Sequence, residues 1–227
     1  MHLNSIQLMR QSKPVSLYRQ MLINWNDRLN LTSITNPKEI EERHFLDSMS
    51  CILATGNLDG RKLVDVGSGA GFPGLPLRII YPGLTLTLVE STGKKSEFLR
   101  EVSKALSLDD VQIVTERAET VGQQEKFRRQ FDWAVARAVA NLGTLVEYLL
   151  PLCKIGGYAL AQKGPKAPAE VIEADKAITQ LGGGAVQIID ASPSDQDQTR
   201  LLIVIPKVAP TPKGYPRRPG KPAKNPL

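Results

Sequence analysis

The sequence predicts an α/β fold: a doubly wound, mostly parallel seven-stranded sheet with one antiparallel strand, entered through N-terminal helices. Three observations carry that prediction. From Arg61 onward, short β-like runs alternate with helical stretches, the order that builds parallel sheets from βαβ units. Before Arg61 the apolar residues follow helical spacing only. The first β-like run ends in a crowd of glycines, "DVGSGAGFPG" (65–74), at the strand end where such sheets receive ligands.

Residues 3–54 read as helical. In "SLYRQMLINWNDRLN" the apolar positions Leu17, Met21, Leu22, Trp25 and Leu29 recur close to the helical period. A second helix opens at Asn36, a side-chain cap, with Pro37 at the first helical position. Its apolar side holds Ile40, Phe45, Met49, Ile52 and Leu53. The strand runs are 62–66, 84–90, 111–115, 131–136, 157–162, 185–190 and 201–206. Helical stretches fall near 73–81, 94–107, 116–128, 141–154 and 166–181. Only "ASPSDQDQT" joins the last two strand runs. That is too short for a crossover helix, so a hairpin is expected, with one antiparallel strand at the end of the sheet.

Composition and charge set further bounds. At 41% hydrophobic and 23% charged residues, the chain reads as a soluble globular protein. No apolar run is long enough to span a bilayer, and the first twenty residues lack the apolar core of a secretion signal. Cys51 and Cys153 have no metal or redox spacing, so two buried thiols in a reducing cytoplasm are expected. Trp25 and Trp133 sit in apolar patterns and read as core. The net charge is +6. Six basic residues (Lys207, Lys213, Arg217, Arg218, Lys221, Lys224) and no acidic ones lie in 206–227, together with seven prolines. Without those six, 23 basic residues face 23 acidic ones, so the excess lies in the tail. Proline at that density excludes a long helix or a central strand. The organisation expected is a helical segment (1–55), an α/β domain (56–206) and an extended basic arm (207–227) remote from the glycine loop.

The glycine loop suggests a ligand class. A dinucleotide fingerprint whose first glycine directly follows the strand starts at Gly67 and would need glycine at position 72, where Phe72 stands. No G-K-[ST] closes a phosphate-binding P-loop. The frame at the strand end is Gly67-x-Gly69-x-Gly71, a pattern typical of S-adenosylmethionine sites. Glu90 ends the second strand run, the place of an acid that bonds ribose hydroxyls in nucleotide-binding sheets.

At this point the sequence resembles a known family, the glucose-inhibited division protein B (RsmG) family. These are bacterial methyltransferases that make 7-methylguanosine in 16S ribosomal RNA. The resemblance rests on "NLTSIT" (30–35), "RHFLDS" (43–48), "LVDVGSGAGFPGLPL" (63–77), "ESTGKKSEFL" (90–99), "ERAE" (116–119), "FDWAVARAVANL" (131–142) and "AQKG" (161–164). It implies a class I methyltransferase fold, S-adenosylmethionine as cofactor, 16S ribosomal RNA or its ribonucleoprotein as partner, and no metal. The glycine frame itself offers Gly67, Gly69 and Gly71 to the cofactor, and the resemblance implies contacts from Gly67 and Phe72, from Glu90, Ser91, Thr92 and Gly93 at the ribose, from Ala118 and Glu119 beside the adenine, and from Arg137. Arg137 is equally readable as a structural ion pair. His44 and Asp47 lie in a matching stretch without an assigned role. Lys94, Lys95, Lys163, Arg217, Arg218, Lys221 and Lys224 are the candidate RNA contacts. Lys94 and Lys95 stand out because they open a helix, against the dipole preference.

Absences narrow the chemistry. No [DNS]-P-P-[YF] follows the fourth strand run, where "ARAVAN" stands instead, which disfavours an exocyclic amine acceptor. A pyrimidine carbon needs a cysteine nucleophile, and both cysteines sit in apolar settings. Guanine N7 needs neither device: its lone pair is free in the neutral base. No general base is expected. Two other classes share parts of this pattern. A small-molecule or protein methyltransferase would use the same cofactor loop without a basic arm. An NAD-linked oxidoreductase would use the glycines for a dinucleotide.

Overall fold

The computed structural model describes residues 12–137, 139–193 and 199–227. The expected helix over residues 3–11 lies outside the described residues. Helix α1 (Lys13–Leu29) starts at Ser12, whose hydroxyl caps Val15 N–H, and ends at Asn30 in a left-handed conformation. Asn36 caps the next helix as its sequence position implies, accepting from Lys38 and Glu39 N–H. That helix, α2 (Pro37–Ile40), widens into a π-helical turn (Glu41–Leu46) before α3 (Asp47–Met49) and α4 (Ile52–Thr55). The π-turn carries His44, and such widened turns recur at functional sites.

The α/β core then runs β1 (Lys62–Val66), α5 (Gly74–Ile80), β2 (Thr85–Val89), α6 (Gly93–Ala105), β3 (Val111–Val114), α7 (Ala118–Gln123), β4 (Phe131–Arg137), α8 (Leu142–Leu149), β5 (Cys153–Lys163), α9 (Ala167–Gln180), β6 (Gln187–Asp190), β7 (Leu201–Pro206) and the short α10 (Lys221–Lys224). The sheet order is β3-β2-β1-β4-β5-β7-β6. β1 to β5 are parallel to their neighbours, and β7 is antiparallel to both β5 and β6. The antiparallel strand is therefore not at the end of the sheet. β7 inserts inside it, because its near-continuous apolar run "LLIVI" suits a strand covered on both faces. The mostly exposed β6 takes the edge. β5 also starts earlier than expected. Pro151 stops α8 short, and Cys153 already pairs with Phe131.

Alternate residues of the inner strands fill two cores. Leu63, Leu86, Leu88, Trp133 and Val135 face the layer made by α1, α5 and α6, where Cys51 is also buried. Val64, Val66, Ala134 and Ala136 face α8 and α9, with Cys153. Trp25 is only partly buried, packed against the rim of the first core.

The C-terminal segment differs most from its sequence expectation. It is not an arm in solvent; it is strapped to the domain. Lys207 is 1% exposed, and its ammonium donates to Leu181 O and Thr211 Oγ1. Arg128 donates to the carbonyls of Thr211, Pro212 and Tyr215. Arg217 meets the fully buried Glu147 through both carboxylate oxygens, at 2.7 to 3.0 Å. The prolines explain the difference. They forbid regular ladders but leave carbonyl acceptors that basic and polar side chains of the domain can bond.

Candidate functional site

The C-terminal edge of the parallel strands β1 to β5 opens on two adjoining cavities. The smaller, about 240 Å³, is floored by Val66 and Val89 and ringed by Gly67, Glu90, Ser91, Glu116, Arg117, Ala118 and Glu119. Val139, Ala140, Tyr148 and Ala223 complete it. Five expected cofactor residues (Gly67, Glu90, Ser91, Ala118, Glu119) thus converge on one space. They come from three strand ends, as an open parallel sheet requires.

The glycines divide the work. A side chain on Gly67 would lie 2.7 Å from Val139 Cγ2, at the cavity wall. Gly71 is excluded from carrying one by the protein itself. A Cβ there would meet Leu75 and the Tyr18 hydroxyl at 2.5 Å, and Tyr18 donates to Ala70 O beside it. Gly69 has open space on its Cβ side, and its N–H donates to Glu90 Oε2 at 3.0 Å. Glu90 Oε1 accepts from Thr92 N–H at 2.7 Å. The buried carboxylate is thereby aimed by two backbone donors, each oxygen keeping a further lone pair. Thr92 and Gly93 are exposed at the start of α6. They do not line the cavity.

Phe72 and Arg137 do not line this smaller cavity. The Phe72 ring is 4% exposed, stacked between Tyr18 and His44 (centroids 5.2 and 4.9 Å), so its side chain belongs to the core beneath the second cavity. The guanidinium of Arg137 lies 5.0 Å over the Phe72 ring. Arg137 Nη1 donates to Asp47 Oδ2 at 2.9 Å, with the Arg43 and His44 carbonyls at 3.3 and 3.4 Å.

Arg137 lines the larger cavity, about 420 Å³, with Ile34, Arg43, His44, Asp47, Gln162, Lys163, Gly164, Thr199 and Arg200. The two spaces are neighbours: Arg137 lines one, Val139 and Ala140 the other, and Lys163 of the larger donates to Ala140 O of the smaller. Asp47 holds two arginines, since Arg200 Nε also lies 3.5 Å from its Oδ1. Gln162 donates to Asp47 O at 2.7 Å. Among the described residues, two buried polar atoms of residues lining this cavity have no partner, the acceptor Gln162 Oε1 and the donor Arg200 Nη2. Leaving such atoms unpaired costs about 1–3 kcal/mol each, a cost that an ordered water or ion beside them would offset.

Among the candidate RNA contacts, Lys94, Arg218, Lys221 and Lys224 are exposed, and Lys95 is half-buried. Lys163 and Arg217 are engaged internally. Lys163 Nζ donates to Ala140 O and Glu170, and Arg217 is held by Glu147. Sequence reasoning missed Gln162, Arg200 and Ala223. The first two flank apolar strand runs, where a polar residue at the active edge was the available signal. Ala223 gave none.

Two shifted groups oppose each other beneath the site. Burial, then the charge of Arg137, pushes His44 down to about 4. Its Nδ1 faces Arg137 Nη2 at 3.3 Å and its Nε2 faces Thr32 Oγ1 at 2.7 Å. An arginine can only donate, so Nδ1 accepts and Nε2 carries the proton of a neutral imidazole. Burial pushes Asp65 up to about 7, although Gly74 N–H bonds its Oδ2 at 2.9 Å. Between pH 4 and 6.5 the unfolded chain binds the His44 proton that the folded chain lacks, so that group's share of stability rises with pH. For Asp65 the folded chain keeps a proton that the unfolded chain has released, so its share falls as pH rises from 3.8 towards 7. The two slopes offset one another. Relative to wild type, Asp65→Asn should gain on the order of 3 kcal/mol as pH rises from 4 to 7. Urea unfolding at several pH values checks this. Parallel stability curves would refute the Asp65 assignment.

The family described as rRNA small subunit methyltransferase G matches residues 11–198. The ribosomal RNA small subunit methyltransferase G of Roseiflexus castenholzii is 53% identical over 220 residues, 96% of this chain and 92% of the relative. That of Alkaliphilus metalliredigens is 48% identical over 217 residues, 96% and 91% of the two chains. Among solved structures, a SAM-dependent O-methyltransferase from Thermotoga maritima aligns with a TM-score of 0.57 at 14% identity. That alignment covers 84% of this chain and 72% of the other. A predicted O-methyltransferase from Agrobacterium tumefaciens aligns at 0.58 and 18%, covering 73% and 81%. Fold and site together define a class I S-adenosylmethionine-dependent methyltransferase. The chain belongs to the rRNA small subunit methyltransferase G family, whose substrate is ribosomal RNA.

Proposed function

We propose that this chain transfers the methyl group of S-adenosylmethionine to N7 of one guanine in 16S ribosomal RNA, free or within the small-subunit ribonucleoprotein. The supporting observation is the pair of adjoining cavities. One has a glycine wall and the backbone-aimed Glu90; the other has an unpaired donor and an unpaired acceptor. Gly67, Glu90, Ser91, Ala118 and Glu119 would hold the cofactor. When bound, it supplies an electrophilic methyl on a sulfonium. Glu90 would accept from ribose hydroxyls with its remaining lone pairs. The larger cavity would receive the target nucleotide, with Arg43, Arg137, Gln162 and Arg200 in its lining.

No proton has to be removed before transfer, because N7 presents a free lone pair. The neutral His44 fits that chemistry: it buttresses Arg137 and takes up no proton near neutral pH. The residues act by positioning. Exposed Lys94, Arg218, Lys221 and Lys224 would meet phosphates. This reading places the enzyme in the cytoplasm with its RNA. Among the described residues, no helix is long and apolar enough to cross a membrane, and no cluster of three or more His, Cys, Asp or Glu is placed to hold a metal.

Cells lacking the gene should lose one 7-methylguanosine from 16S ribosomal RNA, with other modifications unchanged, and a plasmid copy should restore it. Mass spectrometry of digested 16S RNA reads this directly. An unaltered 7-methylguanosine content would refute the acceptor while leaving the cofactor assignment standing.

A further inference from the structure

The strapped C-terminal segment reaches the smaller cavity. We propose that residues 217–223 form a wall of the cofactor site and position Glu119, so that cofactor affinity depends on this segment. The inference rests on that cavity being the cofactor site.

Four contacts carry it. Ala223 lines the same space as Gly67 and Glu90, yet its own surface is otherwise exposed. Gly220 N–H donates to Glu119 Oε1 at 2.8 Å, and Tyr148 OH approaches the same oxygen at 3.4 Å. Glu119 is 4% exposed. Its orientation is therefore set partly from the C-terminal segment, 101 residues along the chain. Pro222 O accepts from Thr144 Oγ1 at 3.1 Å, tying the segment to α8. Arg217 clamps the start of this stretch on Glu147, a carboxylate with no exposure of its own.

The chemistry explains why these contacts matter to a ligand rather than to the fold alone. The Gly220 N–H and the Tyr148 hydroxyl both fall on Glu119 Oε1, and Glu119 itself lines the cavity. Gly220 adopts a positive φ of 81°, a conformation that L side chains rarely take. The turn that delivers its N–H is thus specified by the residue type.

Ala223→Trp places a large ring at the cavity wall on a residue with little to lose in packing. Isothermal titration with S-adenosylhomocysteine should show at least a tenfold weaker Kd, with the melting temperature unchanged. Lys213→Trp, equally bulky on the same segment but outside the cavity, should bind like wild type. Arg217→Ala should also weaken binding, with a raised KM for S-adenosylmethionine and a kcat changed by less than threefold at saturation. Wild-type affinity in a folded Ala223→Trp protein would overturn the proposal. So would equal losses in both tryptophan variants. Failure of wild type itself to bind the ligand would instead remove the cofactor reading beneath it.

Discussion

Gly67→Val is expected to abolish cofactor binding in a protein that still folds. The added Cβ would sit 2.7 Å from Val139 Cγ2, and Val139 and Gly67 both border the smaller cavity. One of them must move, and the cavity is where there is room. Gly67 also has a φ of 73°, so a β-branched side chain adds about 1–2 kcal/mol of backbone strain. That is a small share of a domain's stability, typically 5–15 kcal/mol. The sheet should survive with a lowered melting temperature, while S-adenosylmethionine affinity drops by more than ~100-fold, about 2.7 kcal/mol. Calorimetry on the folded variant measures it. Retained affinity would remove the glycine loop from the cofactor site. Gly69 offers the contrast, because a Cβ there meets no protein atom closer than 3.9 Å. Any loss of affinity in Gly69→Ala beyond the backbone strain reports cofactor in that space.

Arg137→Ala is expected to lower methyl transfer on the order of 100-fold, about 2.7 kcal/mol of activation free energy. The side chain joins the Phe72 ring, Asp47 and two carbonyls of the π-turn. Its loss leaves Asp47 facing Arg200 alone and frees the turn that lines the larger cavity. Arg137→Lys should recover little, because one ammonium cannot reproduce a planar fork that both stacks and bonds. Cofactor affinity should change far less than kcat, because Arg137 borders the other cavity. Single-turnover rates at saturating cofactor separate the two. A rate within threefold of wild type would show that Arg137 is structural only.

Much of this was legible in the sequence, for a physical reason. Strand and helix periods, the glycines at the first strand end and the acid at the second are all local signals. Local signals located β1 to β7, the glycine loop and Glu90, while Ser91, Ala118 and Glu119 came from the family resemblance. What escaped depends on distant parts of the chain meeting. "RHFLDS" could not announce that Asp47 pairs with both Arg137 and Arg200, 90 residues and more away. The proline-rich tail read as free because its partners are single side chains, Arg128, Glu119 and Glu147, scattered over the domain. Nor did strand alternation reveal that β7 would go inside β6. Both carry β-like runs, and only the difference in two-sided burial decides which takes the edge.

That insertion has a consequence for how the chain acquires its shape in time. β6 leaves the ribosome before β7, yet it has no place in the sheet until β7 has docked on β5. Strands β1 to β5 can assemble as they are made, each against a neighbour already present. The far third of the sheet must wait, with β6 held near an unfilled edge. β7 also brings Arg200 at its leading end. The larger cavity therefore matures late, after the glycine loop. Chains stalled before residue 200 should bury most of the first core while exposing the free edge of β5, a surface open to chaperones or to mispairing with another nascent copy.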